Sequence, residues 1–135
     1  MTSKYNLTFH HVGCLTHDIE QSKQIYVEKF GLGAVSQTYD ISSQAVKVCF
    51  ITLGPGNFLE LIEPTGENPS LNKIMKSKNP FYHLGFLTDD IDKTIEGMVA
   101  DGCYLVNTVI SEAYENKKAA FIYTEEMHLI ELIQR

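Results

Sequence analysis

Two glutamates and two histidines occupy stretches of the sequence in which their side chains are unexpected. Glu60 and Glu131 each lie among aliphatic residues, in a run that is typical of a β-strand, where a bare carboxylate is costly to bury. His11 and His83 each lie in another apolar, strand-like run. Because glutamate is depleted in strands, two at such positions need a compensating partner. Two imidazoles and two carboxylates suit a divalent first-row metal ion that keeps positions open for water or substrate.

An internal repeat relates these four residues to one another. Residues 9–19 and 81–91 match at an offset of 72, and seven of their eleven positions are identical. Residues 58–62 and 129–133 match at an offset of 71. A lone histidine or glutamate is usually an ordinary core or surface residue, but equivalent positions in two copies indicate a joint role. The repeat makes the two histidines counterparts of each other, and likewise the two glutamates.

Composition and charge narrow the classes of function. The chain has 135 residues and a formal net charge of −6 without basic blocks, so no nucleic-acid partner is expected. No apolar run approaches the ~20 residues of a membrane-spanning helix, so no membrane partner is expected either. Cys14, Cys49 and Cys103 are odd in number and lie among apolar neighbours, which is typical of reduced, buried thiols in a cytoplasmic protein.

Each copy of the repeat has the pattern of a βαβββ unit. In the first copy, alternation around His11 predicts a strand over residues 7–15. A helix follows, with Thr16 or Asp18 as its cap and Gly31 as its stop signal. Three further strands are predicted over residues 34–40, 45–53 and 58–62.

The second copy repeats this plan after a connecting segment. Residues 63–69 are typical of a loop, by their proline and glycine content, and residues 70–78 of a short helix. A strand over residues 81–87 then precedes a helix that ends at Gly102. Three more strands are predicted over residues 104–110, 118–123 and 128–133. The polar segment 111–116 is expected to be a mobile loop.

These elements predict an α+β fold in which two tandem βαβββ modules form paired half-barrels. We expect a single domain over residues 1–135. Its parts are module one at about 7–66, a linker with the short helix at about 67–79, and module two at about 80–135. If the half-barrels pair about a pseudo-twofold axis, four equivalent strands converge, and the two histidines and two glutamates point into one cavity.

The pattern resembles the vicinal-oxygen-chelate superfamily, which includes glyoxalases, bleomycin-resistance proteins and extradiol dioxygenases. The resemblance covers essentially the whole chain and is carried by residues 11–13, 59–64, 82–86, 89–91 and 129–132. It implies that one divalent metal ion is bound by four ligands, which are His11, Glu60, His83 and Glu131. Zinc, nickel, cobalt, manganese and magnesium are all compatible with this ligand set.

Within the superfamily, the chain is most similar to methylmalonyl-CoA epimerase-like and glyoxalase I-like proteins. Residues 60–64 and 66–70 resemble the segment that joins the two epimerase modules, and residues 44–48 resemble the family's Gln-Gly-Val-Arg stretch. The chain departs from the epimerases just before that stretch. Ser42 and Ser43 stand where epimerases carry a glutamate that serves as acid and base, and a hydroxyl cannot replace a carboxylate in that role.

The resemblance implies a metal-dependent isomerase, epimerase or lyase that transfers a proton next to a carbonyl group. The metal ion would stabilise an enolate or oxyanion while Glu60 or Glu131 moves the proton. An acyl-CoA thioester is the preferred class of small-molecule substrate. Gln44, Phe50 and Phe121 are expected to contact that substrate. The protein is expected to be a homodimer, and the four metal ligands could come from one chain or from both.

Two alternatives to the epimerase-like function stay open. The first is a glyoxalase I-type lactoylglutathione lyase, which acts on a thiol–aldehyde adduct. The second is a metal-free, resistance-type protein that binds a small molecule between aromatic walls. A non-haem iron dioxygenase is less compatible, because its site uses two histidines and one carboxylate, and Glu60 as a fourth ligand would crowd it.

Overall fold

The computed structural model describes residues 4–135, and within them each half of the chain has the element order β-α-β-β-β. The described chain divides into two compact units. One unit is His11–Tyr82, and the other consists of His83–Arg135 together with the described residues up to His10. This element order confirms the predicted α+β class with two βαβββ modules.

The first module contains four strands and one helical segment. Its elements are β1 (Thr8–Leu15), the α-helix α1 (Ile19–Lys23) continued by a π-helical segment (Gln24–Lys29), β2 (Tyr39–Ile41), β3 (Val46–Gly54) and β4 (Asn57–Pro64). The strands lie side by side in the order β2-β3-β4-β1. β1 is parallel to β4, whereas β3 is antiparallel to both of its neighbours.

The second module follows the helix α2 (Pro69–Lys76) and has the same plan. Its elements are β5 (Phe81–Thr88), α3 (Ile91–Ala100), β6 (Tyr104–Ser111), β7 (Lys117–Tyr123) and β8 (Leu129–Gln134). The strands lie in the order β5-β8-β7-β6, and β5 is parallel to β8. Within residues 4–135, no helix is both long and apolar enough to cross a membrane.

The strand predicted over residues 34–40 is shorter than expected, because β2 contains only Tyr39–Ile41. Ser36 explains the difference. Its N–H donates to the Phe50 carbonyl, and its own hydroxyl oxygen accepts the Phe50 N–H, at 2.8 and 2.9 Å. The side chain therefore takes a backbone donor that a regular strand ladder would use, and only an isolated bridge forms beside it, between Val35 and Ile51.

The segment expected to be a mobile loop, residues 111–116, is a structured turn. Ser111 is the last residue of β6, and Glu112–Tyr114 form one turn of 3₁₀-helix. The Tyr114 side chain is buried. The polar character of the segment suggested exposure, but one aromatic residue within it anchors the turn to the module.

Each module has its own apolar core between its helix and its strands. In the first module the fully buried members are Cys14, Ile19, Cys49, Ile51, Leu59 and Leu61. In the second module they are Ile91, Ala120, Ile122 and Leu132. Burial raises the pKa of the Cys14 and Cys49 thiols, so both stay protonated and unreactive near neutral pH. All three cysteines are free thiols. The predicted burial is confirmed for Cys14 and Cys49 but was wrong for Cys103, which is only half-buried.

The last strand of each module accepts a hydrogen bond from the start of that module's helix. The Ile19 N–H donates to Glu63 Oε1 at 2.9 Å, and the Ile91 N–H donates to Gln134 Oε1 at 2.9 Å. Glu63 and Gln134 are equivalent in the repeat, at the offset of 71. Because helix N-terminal N–H groups have no partner within the helix, these acceptors join each helix to its sheet.

We predict that Glu63→Ala lowers the free energy of unfolding by about 1 kcal/mol, because the Ile19 N–H loses its acceptor. Glu63→Gln is the matched control, since glutamine already fills the equivalent position at Gln134. It should retain most of the stability and lose only the charge–dipole attraction, worth roughly a few tenths of a kcal/mol. Urea unfolding measures both. Equal losses in the two variants would show that the charge, rather than the acceptor, is what the helix requires.

Candidate metal centre

The first His–Glu pair is held by the parallel strands β1 and β4. In their register Gly13 lies beside Glu60, and His11 precedes Gly13 by two residues on the same face of the strand. The glycine places no side chain between them. Nε2 of His11 lies 3.4 Å from Oε1 of Glu60, and both residues are buried. The two side chains therefore meet inside the first module.

The second pair repeats this arrangement in the second module. Gly85 lies beside Glu131 in the parallel register of β5 and β8, and His83 precedes that glycine by two residues. Nε2 of His83 lies 3.3 Å from Oε1 of Glu131, and both residues are buried. The repeat seen in the sequence is thus also a repeat of side-chain geometry.

The donor atoms and their separations fit metal ligation. Two donor atoms that each lie about 2.1 Å from a tetrahedrally coordinated ion are roughly 3.4 Å apart. Within each pair the observed Nε2–Oε1 separation is 3.4 or 3.3 Å, which is long for a strong charge-assisted hydrogen bond. A metal ion would also compensate the buried carboxylate charge. Each pair, His11 with Glu60 and His83 with Glu131, thus offers a buried imidazole nitrogen and a buried carboxylate oxygen that could bind a metal ion.

Two of the three predicted substrate-contacting residues lie against these pairs. Phe50 is opposite Glu60 in the register of β3 and β4, and its ring meets the His11 ring edge-on at 6.1 Å between centroids. Phe121 is opposite Glu131 in β7 and β8. Its ring meets the His83 ring in the same way, at 5.5 Å. Each imidazole is therefore flanked by a phenylalanine of its own module.

Gln44, the third predicted substrate residue, lies in the turn Ser42–Gln44 between β2 and β3. Its backbone carbonyl accepts a hydrogen bond from the Asn68 side-chain amide at 3.3 Å. Ser42 and Ser43 are exposed in the same turn. Contact of Gln44 with a substrate stays a prediction.

The aromatic side chains of the two modules have different surroundings. In the first module, the rings of Tyr39 and Phe58 each meet Phe50 edge-on, so three aromatic side chains cluster beside His11. In the second module, Phe86 packs against the apolar core instead. Phe121 therefore has no matching cluster among the ring contacts described for residues 83–135.

Tyr114 is a residue of this centre that sequence patterns did not single out. Its hydroxyl donates a hydrogen bond to Oε1 of Glu131 at 2.9 Å, and both side chains are buried. A signal for it exists in the chain. The turns Ser42–Gln44 and Glu112–Tyr114 are both 3₁₀ turns followed by a left-handed residue, which makes Tyr114 the counterpart of Gln44. Because the second turn is followed by one additional residue, Gln44 and Tyr114 do not match at the offset of 71 that relates the strands after the two turns.

Solved structures of two kinds share this fold. A hypothetical protein from Bacillus halodurans C-125 aligns with a TM-score of 0.84 and 23% identity, over 96% of this chain and 94% of its own. The methylmalonyl-CoA epimerase of Mycobacterium tuberculosis aligns with a TM-score of 0.86 and 20% identity, over 99% of this chain and 92% of its own. A variant of the Streptomyces coelicolor methylmalonyl-CoA epimerase, in complex with 2-nitronate-propionyl-CoA, aligns with a TM-score of 0.78 and 24% identity. That alignment covers 93% of this chain and 92% of the epimerase chain. These likenesses confirm the predicted glyoxalase-like fold.

The chain matches a protein-family model over most of its length. Among curated proteins, no sequence matches it. One family model, that of the Glyoxalase/Bleomycin resistance protein/Dioxygenase superfamily, matches residues 10–121. The matched range contains His11, Glu60 and His83, together with the helix of each module, all of β5 and most of β1. The chain therefore belongs to the glyoxalase/bleomycin resistance protein/dioxygenase superfamily.

Proposed function

We propose that the chain is a metal-dependent isomerase, epimerase or lyase that transfers a proton next to a carbonyl group. The observation that carries this proposal is the pair of equivalent, buried His–Glu contacts, one in each module. Each pair supplies half of a four-ligand set. The proposal requires residues 1–135 to form a single domain, so that both pairs bind the same ion, or a dimer in which two chains share it.

The metal ion would be held by two imidazole nitrogens and two carboxylate oxygens, from His11, Glu60, His83 and Glu131. When bound, it supplies a Lewis acid that stabilises negative charge developing on a substrate oxygen. Zinc, nickel, cobalt, manganese and magnesium all remain candidates for the ion. Membership of a superfamily with many metal-dependent enzymes supports this part of the proposal.

The chain's own groups would hold the substrate and move the proton. A carboxylate oxygen of Glu60 or Glu131 would take the proton from the carbon next to the carbonyl and return it to the product. Phe50 and Phe121, which already flank the two imidazoles, would exclude water from the reacting carbon. Gln44 would contact a more distant part of the substrate.

An acyl-CoA thioester is the substrate class that we favour. Its support is the likeness of the fold to several methylmalonyl-CoA epimerases, one of which is described in complex with methylmalonyl-CoA and NH4+. The thioester carbonyl next to an acidic carbon suits the proposed proton transfer. The exposed serines Ser42 and Ser43 leave the chain without the epimerase carboxylate at that turn. That difference favours a second candidate, a glyoxalase I-type lactoylglutathione lyase, whose proton transfer would use a metal-bound glutamate.

We also propose a cytoplasmic homodimer. Three free thiols support a reducing compartment. Within residues 4–135, the strand β6 pairs with β7 only. It exposes the apolar side chains of Tyr104, Val106 and Ile110 and contains no charged residue. An unprotected edge of this kind is usually covered by another chain.

Protein purified without a histidine tag is expected to contain about one divalent metal ion per chain, measured by mass spectrometry. His83→Ala and Glu131→Ala should each lose most of it, because each removes one ligand and leaves its partner unpaired. His128→Ala is the matched control, since His128 is an exposed histidine of the same module and lies apart from the pairs. It should retain the metal of the parent.

A parent protein that contains no metal and takes up no nickel, cobalt or zinc would contradict the enzyme proposal. The cluster of Tyr39, Phe50 and Phe58 would then be the better guide to function. In that case a metal-free, small-molecule binding protein of the resistance type becomes the preferred interpretation, and ligand screens would replace enzyme assays.

Incubation with methylmalonyl-CoA in deuterium oxide is expected to incorporate deuterium at the carbon between the two carbonyl groups. Removal of metal by a chelator should abolish the exchange, and the restored ion should recover it. Exchange is followed by mass spectrometry, with a thiol–aldehyde adduct as the parallel substrate. Turnover of the adduct without exchange into methylmalonyl-CoA would favour the lyase over the epimerase.

Comparison of Glu60→Gln with Glu131→Gln should distinguish the base from the fixed ligand. An amide can still offer an oxygen to the ion but cannot take a proton. Loss of the base should lower the exchange rate by about 10²–10⁴-fold at saturating metal. The other variant should show a smaller loss that added metal offsets. Equal rates in parent and both variants would mean that neither glutamate moves the proton.

A further inference from the structure

Oε1 of Glu131 faces two groups at once. The Tyr114 hydroxyl donates a hydrogen bond to it at 2.9 Å, and Nε2 of His83 lies 3.3 Å away. The phenol is 9% exposed and the glutamate 3% exposed, so water has little access to this contact. A charge-assisted hydrogen bond in such a place is stronger and more directional than one at the surface.

The turn that carries Tyr114 is built to point it inward. The Ser111 hydroxyl accepts the Ala113 N–H at 3.2 Å, and the Ser111 carbonyl accepts the Asn116 N–H at 2.9 Å. Glu115 and Asn116 both adopt left-handed backbone conformations, with φ of 57° and 62°. Such conformations are uncommon outside glycine, and two in succession require a turn that is firmly held.

The ring of Tyr114 is supported as well as its hydroxyl. The His10 ring meets it edge-on, with the centroids 5.9 Å apart and the planes at 80°. His10 comes from β1, whose residues up to position 10 belong to the same unit as β5–β8. The phenol is thereby fixed at both ends, by an aromatic contact at the ring and by Glu131 at the oxygen.

We propose that Tyr114 is a positioning residue that holds Glu131 in place as a metal ligand; this inference rests on the proposed function. Hydrogen-bond partners of metal-ligating carboxylates orient the ligand before the ion arrives. A phenol suits this role because it is a neutral donor. It fixes the carboxylate without cancelling the negative charge that the ion needs, as a lysine would.

The first module has no tyrosine at the equivalent place, because Gln44 fills the corresponding position of its turn. The two halves of the proposed centre have therefore diverged around equal His–Glu pairs. In the proposal, Tyr114 positions the metal ligand of its own module, Glu131, whereas Gln44 contacts the substrate.

The test uses the whole protein, stripped of metal and titrated with cobalt(II). Tyr114→Phe removes one oxygen and keeps the ring, and Tyr26→Phe is the matched control at a tyrosine that packs against the apolar core of the first module. Tyr114→Phe should weaken cobalt binding by about 10–100-fold, and Tyr26→Phe should leave it unchanged. The absorption spectrum of the cobalt-saturated Tyr114→Phe protein should also change, because Glu131 would bind the ion in a different orientation.

Three other outcomes would overturn the inference. Cobalt affinity of Tyr114→Phe within about threefold of the parent would mean that the phenol does not position the ligand, since a positioning partner contributes at least about tenfold. Weaker binding with an unchanged saturated spectrum would mean that Tyr114 has only a structural role. A parent protein that does not bind cobalt would refute the proposed function itself, and this inference with it.

Discussion

Burial of two glutamates within aliphatic strands is the constraint on which the architecture of each module depends. An unpaired buried carboxylate destabilises a small domain by several kcal/mol, which is a large part of its total stability. Each module places an imidazole nitrogen beside the carboxylate, and in the proposed function a metal ion bound by both would meet this cost. Because the histidine and the glutamate lie on neighbouring parallel strands, the chain must cross over between them. The helix and two intervening strands of the βαβββ unit provide that crossover.

The two modules preserve chemical roles rather than residue identities. Glu63 and Gln134 differ in charge, yet each accepts the first N–H of its helix at 2.9 Å. Thr16 and Ser22 in one module, and Thr88 and Thr94 in the other, join their hydroxyls at 2.6 and 2.7 Å. Both modules thus have an acceptor or a hydroxyl at these positions. The contacts that join helix to sheet are therefore the same in both halves.

Much of the fold was predictable from sequence because the repeat aligns two independent copies of one pattern. The strands around the histidines and glutamates were predicted within one or two residues, since alternation and turn residues agreed in both copies. Features that depend on one side chain were missed. The shortened β2 follows from the hydroxyl of Ser36, and the buried Tyr114 follows from a turn whose offset one inserted residue had shifted. Local hydrogen bonds of this kind leave no periodic signal.

The difference between Gln44 and Tyr114 has a consequence for how an asymmetric substrate would bind. A centre made of two equal His–Glu pairs presents the same chemistry from either side, so by itself it would accept a substrate in two opposite orientations. In the proposed enzyme, Tyr114, which donates to Glu131 in one turn, and the Gln44 amide in the other turn would remove that degeneracy. In the proposed enzyme, two short turns would thus determine the orientation in which the substrate binds, and the duplicated strands would not distinguish the two orientations.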